Sequence, residues 1–399
     1  MKKWFALLLA MLALPACGLA QITVRGDTQS DGVNQIVLFS AEAESGGEKL
    51  TEEAQLEQDM RIMMLNGAIA MRLQQGRAQQ LYGNAQHGDG IFVLHQSPRA
   101  YVGEELASLA ILWEGTQSDG SEACRPYTLN LDLTTGLEIA ALDALFDDPD
   151  AAAAAMEAII FRDVLEEMNA YVEAAELIPL PRDCFSFDET GLTVYYGDDH
   201  YRTLEGRCGY VTFYWHELAE YIGEDSPVYA LSRPQPADAD AIHGAQGFFD
   251  GHRLLGLYEL LEKAMEAYGL TDEPDYTAES VLYPLSQPEL RGMAVEIPKY
   301  AETEPEDTPI SAVRHSRASW HGLTTGVTGR AEILSLLGEP EDSAIYDEDD
   351  AFDMMLEPGE SFFYTCSGAP LPMVLQAHMD TAGILRCIIL RSAMPERLY

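Results

Sequence analysis

The residues able to do chemistry are thinly spread along this chain. His216-Glu217, directly after the apolar run that ends in Trp215, is the strongest local acid–base pair. General acid–base catalysis needs both groups within hydrogen-bond reach of one substrate. If the strand predicted over 210–215 continues through them, adjacent side chains point to opposite faces and the pair is split. A strand-end structural role is therefore the favoured reading of Trp215, His216 and Glu217, with an interaction surface as the functional one. Nine histidines occur, yet none falls in H-E-x-x-H or another zinc spacing, and His315 with His321 is the nearest approach to a metal pair. No G-x-S-x-G turn, phosphate-cradling glycine loop or dinucleotide fingerprint is present. The sequence names no catalytic residue, no metal site and no cofactor.

Charge offers a different chemistry. Asp347-Glu348-Asp349-Asp350 is a dense acidic run, and no Lys or Arg stands between Arg330 and Arg386. Such a field steers a cationic protein or peptide, or holds Ca²⁺ loosely, although the EF-hand spacing is absent. The plainer alternative is a hydrated, exposed loop. Across the 399 residues, 24 Lys plus Arg face 66 Asp plus Glu, for a formal net charge of -42. That balance excludes a simple nucleic-acid binder, because a phosphate backbone would meet like charge almost everywhere. With 47% hydrophobic residues, 19 Tyr and 13 Phe, the chain still has ample material for packed cores.

The first 21 residues supply an address. Lys2 and Lys3 precede the apolar run WFALLLAMLALPA, Trp4 to Ala16, which suits a signal-peptide core and is short for a membrane span. Leu14-Pro15-Ala16-Cys17 resembles the lipobox of bacterial lipoproteins. That resemblance makes Cys17 the expected lipidation site and lipid anchor, with cleavage after Ala20 and release as a soluble secreted protein as the alternative. If Cys17 is lipidated, Cys124, Cys184, Cys208, Cys366 and Cys387 remain, an odd number that leaves at least one free or paired between chains. In an exported protein, Cys184 with Cys208 and Cys366 with Cys387 are expected local disulfides, with buried reduced thiols as the alternative.

Helices and strands must position these groups. Residues 22–50 read as an extended or flexible lead. A helix is expected from Glu52 to about Gln80, with Met60, Met63, Met64, Gly67, Ala70, Met71 and Gln74 at helical spacing as its core face. Strands follow at 91–94 and 106–113. Tyr127, Leu129, Leu131 and Leu133 alternate with polar residues, and Leu137, Ile139 and Ala141 resume the alternation past Thr134-Thr135-Gly136, which predicts a hairpin with one shared buried face. A long helix runs from the alanines at 151 to Val172. Strands are expected at 192–196, 210–215 and 228–231, and a helix at 253–268. The Pro- and acid-rich stretch 301–309 is the expected linker. Beyond it, a small domain carries a helix at 330–337 and strands at 361–366, 373–377 and 384–390. Helices and strands in this order indicate an α+β class with no βαβ repeat.

Three segments carry a family resemblance. YTLNLDLTTGLEIAALDALF (Tyr127 to Phe146), FSFDETGLTVYY (Phe185 to Tyr196) and GYVTFYWHELAEY (Gly209 to Tyr221) with VYAL (Val228 to Leu231) resemble the C-terminal domain of RsiV-like anti-sigma factors, DUF3298. A preceding DUF4163-like region would complete it. The resemblance spans roughly residues 50–235, with 51–123 as a companion α+β region, 124–235 as the RsiV-like domain and 236–300 as a helical and extended connection. It implies an extracytoplasmic α+β module whose relatives sense lysozyme or accompany cell-wall enzymes. The Gly-Gly-x-His motif of that family is replaced here by GTQSDG, Gly115 to Gly120. GLTTGVTGRAEILSLLGEP, Gly322 to Pro340, is similar to small lipoprotein domains related to outer-membrane assembly factors and β-lactamase-inhibitor proteins. That likeness covers residues 310–399 and implies a binding or structural module. Glu332 stands one place too far from Thr328 for the usual Thr-x-x-Glu capping box.

Together these readings give a non-enzymatic cell-envelope lipoprotein that binds or senses a ligand, with a cationic protein or a cell-wall ligand as partner. A cell-wall-modifying enzyme or its accessory subunit, and a structural envelope-assembly component, are the alternatives.

Overall fold

The computed structural model describes residues 22–30, 35–43, 51–87, 95–116, 122–161, 179–196, 210–233, 237–244, 247–249, 254–256, 261, 274–278, 280–285, 292–299, 308–366 and 373–393. Cys17, Cys208, the strand expected at 91–94 and the helix expected beyond Phe161 lie outside them. The fold is α+β, with antiparallel sheets throughout. The described residues belong to two compact units, one drawn from Met1–Ala140 with Tyr196–Gly209 and the other from Ala141–Tyr195 with Tyr210–Tyr399.

In the first unit, the stretch expected as an extended lead forms a paired hairpin of β1 (Ile22–Ser30) and β2 (Gln35–Ala43). Helix α1 (Glu52–His87) follows, and then a three-stranded sheet of β3 (His95–Val102), β4 (Leu106–Thr116) and β5 (Glu122–Asp132). The helix is where expected, but its buried face is another one. Leu65, Ala68 and Ile69 pack with Leu109, Leu129 and Leu131, while Met63 is 70% exposed and Met71 66%. Two apolar stripes at helical spacing compete on α1, and the one bearing Leu65 and Ile69 is the one that packs on the sheet. Burying Leu65 and Ile69 contributes roughly 1.5–3 kcal/mol each. Asn66, on the flank of that face, fixes the helix to β2: its Oδ1 accepts from the Ala41 N–H at 2.7 Å and its Nδ2 donates to the Ala41 carbonyl at 3.0 Å.

The turn expected after β5 forms, and the second strand of its hairpin does not. Asp132 Oδ1 accepts from the N–H groups of Thr134 and Thr135 at 2.8 and 3.0 Å, and Gly136 takes a φ of 72° that disfavours a side chain. Pairing then shrinks to a single bridge between Leu131 and Glu138, and Leu137 is exposed. Leu142 donates its N–H to the Arg182 carbonyl at 2.7 Å, and Leu142–Leu145 becomes a 3-10 turn with Leu142 and Leu145 buried, which ends the extended run.

The second unit begins with that turn and α2 (Pro149–Ile159), capped by Asp148, whose carboxylate accepts from Ala151 N–H at 3.1 Å. Strands β6 (Phe185–Phe187), β7 (Gly191–Tyr195) and β8 (Tyr210–Tyr214) form a small sheet with nearly every residue buried. Short helices α3 (Trp215–Leu218), α4 (Tyr229–Ser232) and α5 (Ala239–Gly244) follow. The strand expected at 228–231 is thus a single helical turn, closed by the Ser232 N–H donating to the Val228 carbonyl at 2.9 Å. The helix expected from Arg253 is also corrected at its start: β10 (Leu254–Gly256) pairs with β9 (Gly247–Phe249).

The largest element is an eight-stranded antiparallel sheet. It contains β11 (Asp275–Tyr276), β12 (Ser280–Pro284), β13 (Met293–Pro298), β14 (Ala312–His315), β17 (Asp342–Tyr346), β18 (Gly359–Cys366), β19 (Met373–Asp380) and β20 (Leu385–Ser392). Its strand order is β11-β12-β13-β14-β20-β19-β18-β17, so strands from both sides of the 301–309 stretch share one ladder. The two-residue strands β15 (Ser319–Trp320) and β16 (Leu323–Thr324) make a separate hairpin.

One face of the large sheet is an apolar core of Val295, Val313, Phe362, Leu375, Ile388 and Leu390, closed by Ile333 of α6 (Arg330–Leu337). Gly329 takes the N-cap position of α6, and its N–H donates to Glu332 Oε2 at 2.7 Å. Half a capping box therefore survives the shifted spacing. Thr328 instead accepts from the Thr324 N–H at 2.7 Å. The opposite sheet face is crossed by α7 (Glu348–Asp353) and the segment after it, where Leu356 packs with Ala312, Cys387 and Ile389.

Candidate functional site

Strand β17 and helix α7 hold the acidic run that the sequence singles out. β17 ends the large sheet and pairs with β18 alone, so among the described strands its outer backbone groups face no neighbour. Alternation splits its side chains between the two sheet faces. Ile345, opposite Glu360, is 80% exposed, whereas the Tyr346 ring turns to the other face, 5.8 Å from the His378 ring.

Asp347 caps α7: its Oδ1 accepts from the N–H groups of Asp349 and Asp350, both at 3.0 Å. Glu348, Asp349 and Asp350 fill the first turn, where the orphan N–H groups favour negative charge. All four acidic side chains are exposed. The helix is anchored from beneath by buried Ala351 and by the Asp353 carbonyl, which accepts from the Ala278 N–H at 2.8 Å. Phe352 is left 77% exposed. Acidic charge and a large apolar side chain are therefore presented outward next to an open strand edge.

The Trp215-His216-Glu217 segment is differently placed. It is a helical turn, so the opposite-face argument for a strand does not apply. Trp215 is buried, its indole N–H donating to the Asp188 carbonyl at 2.7 Å, and Glu217 Oε2 accepts from the Tyr214 N–H at 3.0 Å. The His216 ring stacks 6.0 Å from Tyr214. Glu217 thus ties the turn to the end of β8 and Trp215 ties it to the turn between β6 and β7, and the indole is absent from the surface. Tyr214 also meets His315 edge-on at 5.5 Å. His315 is buried and accepts from the Arg317 N–H at 3.3 Å, while His321 packs on Trp320 at 5.2 Å. Among the described residues, no group of three or more His, Cys, Asp or Glu is arranged to hold a metal ion.

The expected Cys366–Cys387 disulfide does not form. Both thiols are free and buried, Cys366 in the apolar core on one sheet face and Cys387 beside Ala312 and Ile389 on the other. Burial pushes the Cys387 thiol up to about 11 and raises that of Cys366 as well. Neither is suited to nucleophilic work, which needs the thiolate. Of the other expected pair, Cys184 is described and Cys208 is not.

Sequence reading missed a buried polar chain on the second sheet face. Gln376 Nε2 donates to Ser361 Oγ at 2.9 Å, Ser361 Oγ lies 2.9 Å from His378 Nδ1, and His378 Nε2 lies 2.8 Å from the Glu357 carbonyl. A carbonyl only accepts, so His378 carries its proton on Nε2 and Nδ1 accepts from the serine. The available signal was Gln376 and His378 alternating with Leu375, Ala377 and Met379 in one strand.

No family model matches the chain, and no curated protein matches it. Among solved structures, the chain is similar to a member of the DUF3298 family from Bacteroides fragilis. The likeness has 11% sequence identity and a TM-score of 0.34, and it covers 54% of this chain and 98% of that one. Among the described residues, no helix is long and apolar enough to cross a membrane.

Proposed function

We propose that this protein is a non-enzymatic envelope lipoprotein whose C-terminal sheet edge captures a basic, extended segment of a partner protein. The leader ending at Cys17 supports export and anchoring of the chain. The observation that carries the binding role is the edge of β17, where exposed Ile345 is followed by the acidic turn of α7 and exposed Phe352. A strand added to such an edge gains main-chain hydrogen bonds, and its alternate side chains reach both faces of the sheet. One row would meet Ile345 and the other the acidic helix, so alternating apolar and basic residues suit it best. The exposed acidic turn of α7 beside this edge attracts cations, while Arg330, the nearby guanidinium, is paired with Glu360 opposite Ile345.

The test is association of the purified protein with an alternating Val/Lys peptide, followed by stopped-flow fluorescence at low and physiological salt. The association rate is expected to fall at least about tenfold with added salt, since exposed charges are screened within roughly 8–10 Å. Ile345→Lys should remove binding at either salt. A salt-independent rate, or equal binding by Ile345→Lys, overturns the reading. Turnover of peptidoglycan fragments by the isolated protein would favour the cell-wall-enzyme alternative instead.

A further inference from the structure

The second face of the large sheet buries basic charge in a strongly acidic chain. Glu296 on β13, Ala312 on β14 and Arg391 on β20 form one transverse row, with Arg314 two residues along β14 from Ala312 on the same face. Glu296 is 1% exposed and Arg314 4%. Arg314 Nε pairs with Glu296 Oε1, and Arg314 Nη1 donates to the carbonyls of Met354 and Met355 at 2.8 and 3.2 Å. Ser280 Oγ donates to the remaining Glu296 oxygen at 2.6 Å. The single carboxylate is thereby engaged at both oxygens. Arg314 Nη2 and the Nε and Nη2 of Arg391 are buried atoms with no hydrogen-bond partner.

We propose that Arg314 and Arg391 form an anion-binding site that takes one carboxylate or phosphate group. Within this group of side chains, two guanidinium groups face one carboxylate. Burying a guanidinium N–H without an acceptor is costly, and an oxyanion is the ligand that relieves it. Nε and Nη2 form one edge of the planar Arg391 guanidinium, two parallel donors matched to two oxygens of a carboxylate or phosphate. Arg314 Nη2 supplies a further donor. Ala312 lies between Glu296 and Arg391 in the row, and Leu356 packs over it together with Cys387 and Ile389. The ionised state of Glu296 agrees with this arrangement: burial alone would raise its pKa, but Arg314, Arg391 and Ser280 together hold it below the ordinary value. The site lies on β14 and β20 rather than on β17, and Arg314 also holds the Met354–Met355 segment that follows α7.

The experiment is calorimetric titration of the purified protein with inorganic phosphate and with acetate, each against chloride at matched ionic strength. One equivalent of one or both anions is expected to bind. Phosphate alone marks a phosphoryl ligand, acetate alone a carboxylate ligand, and both together a general oxyanion site. Arg391→Gln should raise Kd at least about tenfold, a loss of about 1.4 kcal/mol. Arg391→Lys keeps the charge and loses the fork, and should also weaken binding. Circular dichroism checks the fold of the Gln variant, and the Lys variant carries the same test if that one fails to fold. Absence of binding by the wild-type protein, or affinity unchanged in either variant, overturns the proposal.

Discussion

Cys366 and Cys387 lie in one sheet, yet their side chains are buried on opposite faces of it, with β19 between their strands. Cys366 sits opposite Met373 in the register, and Cys387 sits opposite His378. A disulfide needs Cα atoms within about 7 Å and converging Cβ vectors, so the sheet itself forbids the pair. The native protein should therefore leave both thiols unmodified by a mild alkylating reagent at pH 8. Unfolding in denaturant without reductant should expose them at once. Mass spectrometry of the two cysteine peptides checks this, and a cross-linked pair of peptides would contradict it.

The two stripes of α1 make a stability prediction. Leu65→Ala removes a fully buried side chain facing Leu109, Leu129 and Leu131 and should cost about 2–5 kcal/mol. Met63→Ala, on the exposed stripe, should change stability by no more than about 0.5 kcal/mol. Urea unfolding monitored in the first unit distinguishes the two, and equal losses would place the helix in another rotation.

His378 should make stability fall with acid. Burial lowers its pKa below the ordinary 6.5, with the bond to the Glu357 carbonyl opposing that shift only in part. Below about pH 6.5 the unfolded chain takes up a proton that the folded chain resists, so stability drops from there down to the lower folded pKa. Above pH 6.5 the full contribution is present. His321, lowered chiefly by burial, acts in the same direction. His378→Gln should flatten the pH dependence of Tm between pH 6.5 and 5 relative to wild type, and an identical slope in both proteins would refute the assignment.

Arg314 and Glu296 should behave as a coupled pair. Arg314→Met leaves a carboxylate buried without its main partner and should cost about 3–5 kcal/mol, whereas Glu296→Leu with Arg314→Met should recover much of the loss. A double-mutant cycle in urea measures the coupling. Because the folded pKa of Glu296 is depressed, its contribution is present above the ordinary 4.5 and is lost as pH falls below it. The acid limb of the stability curve should therefore be shallower in the double variant.

Much of the C-terminal region was legible in the residues. The helix at 330–337 and the strands at 361–366, 373–377 and 384–390 agree with α6, β18, β19 and β20 to within a few positions, because their apolar periodicity is strong and their ends carry turn residues. The acidic run at 347–350 was legible as charge, and the structure adds that Asp347 is spent as a helix cap. Val228–Leu231 reads as a strand by composition, but at four residues it is ruled by its surroundings, and buried Val228 accepts the bond that closes a turn.

By itself, then, the sequence determined the acid surplus, the α+β class and the spacing of side chains along each main element. Only the tertiary structure decided which of two apolar stripes on α1 is covered, which sheet face each cysteine meets, and that Glu296, Arg314 and Arg391 share one buried row. The physical reason is that periodicity fixes the spacing of side chains along an element but not its phase against a neighbour. Phase is set by register and packing across strands far apart in the chain, where a one-residue shift sends every side chain to the other face.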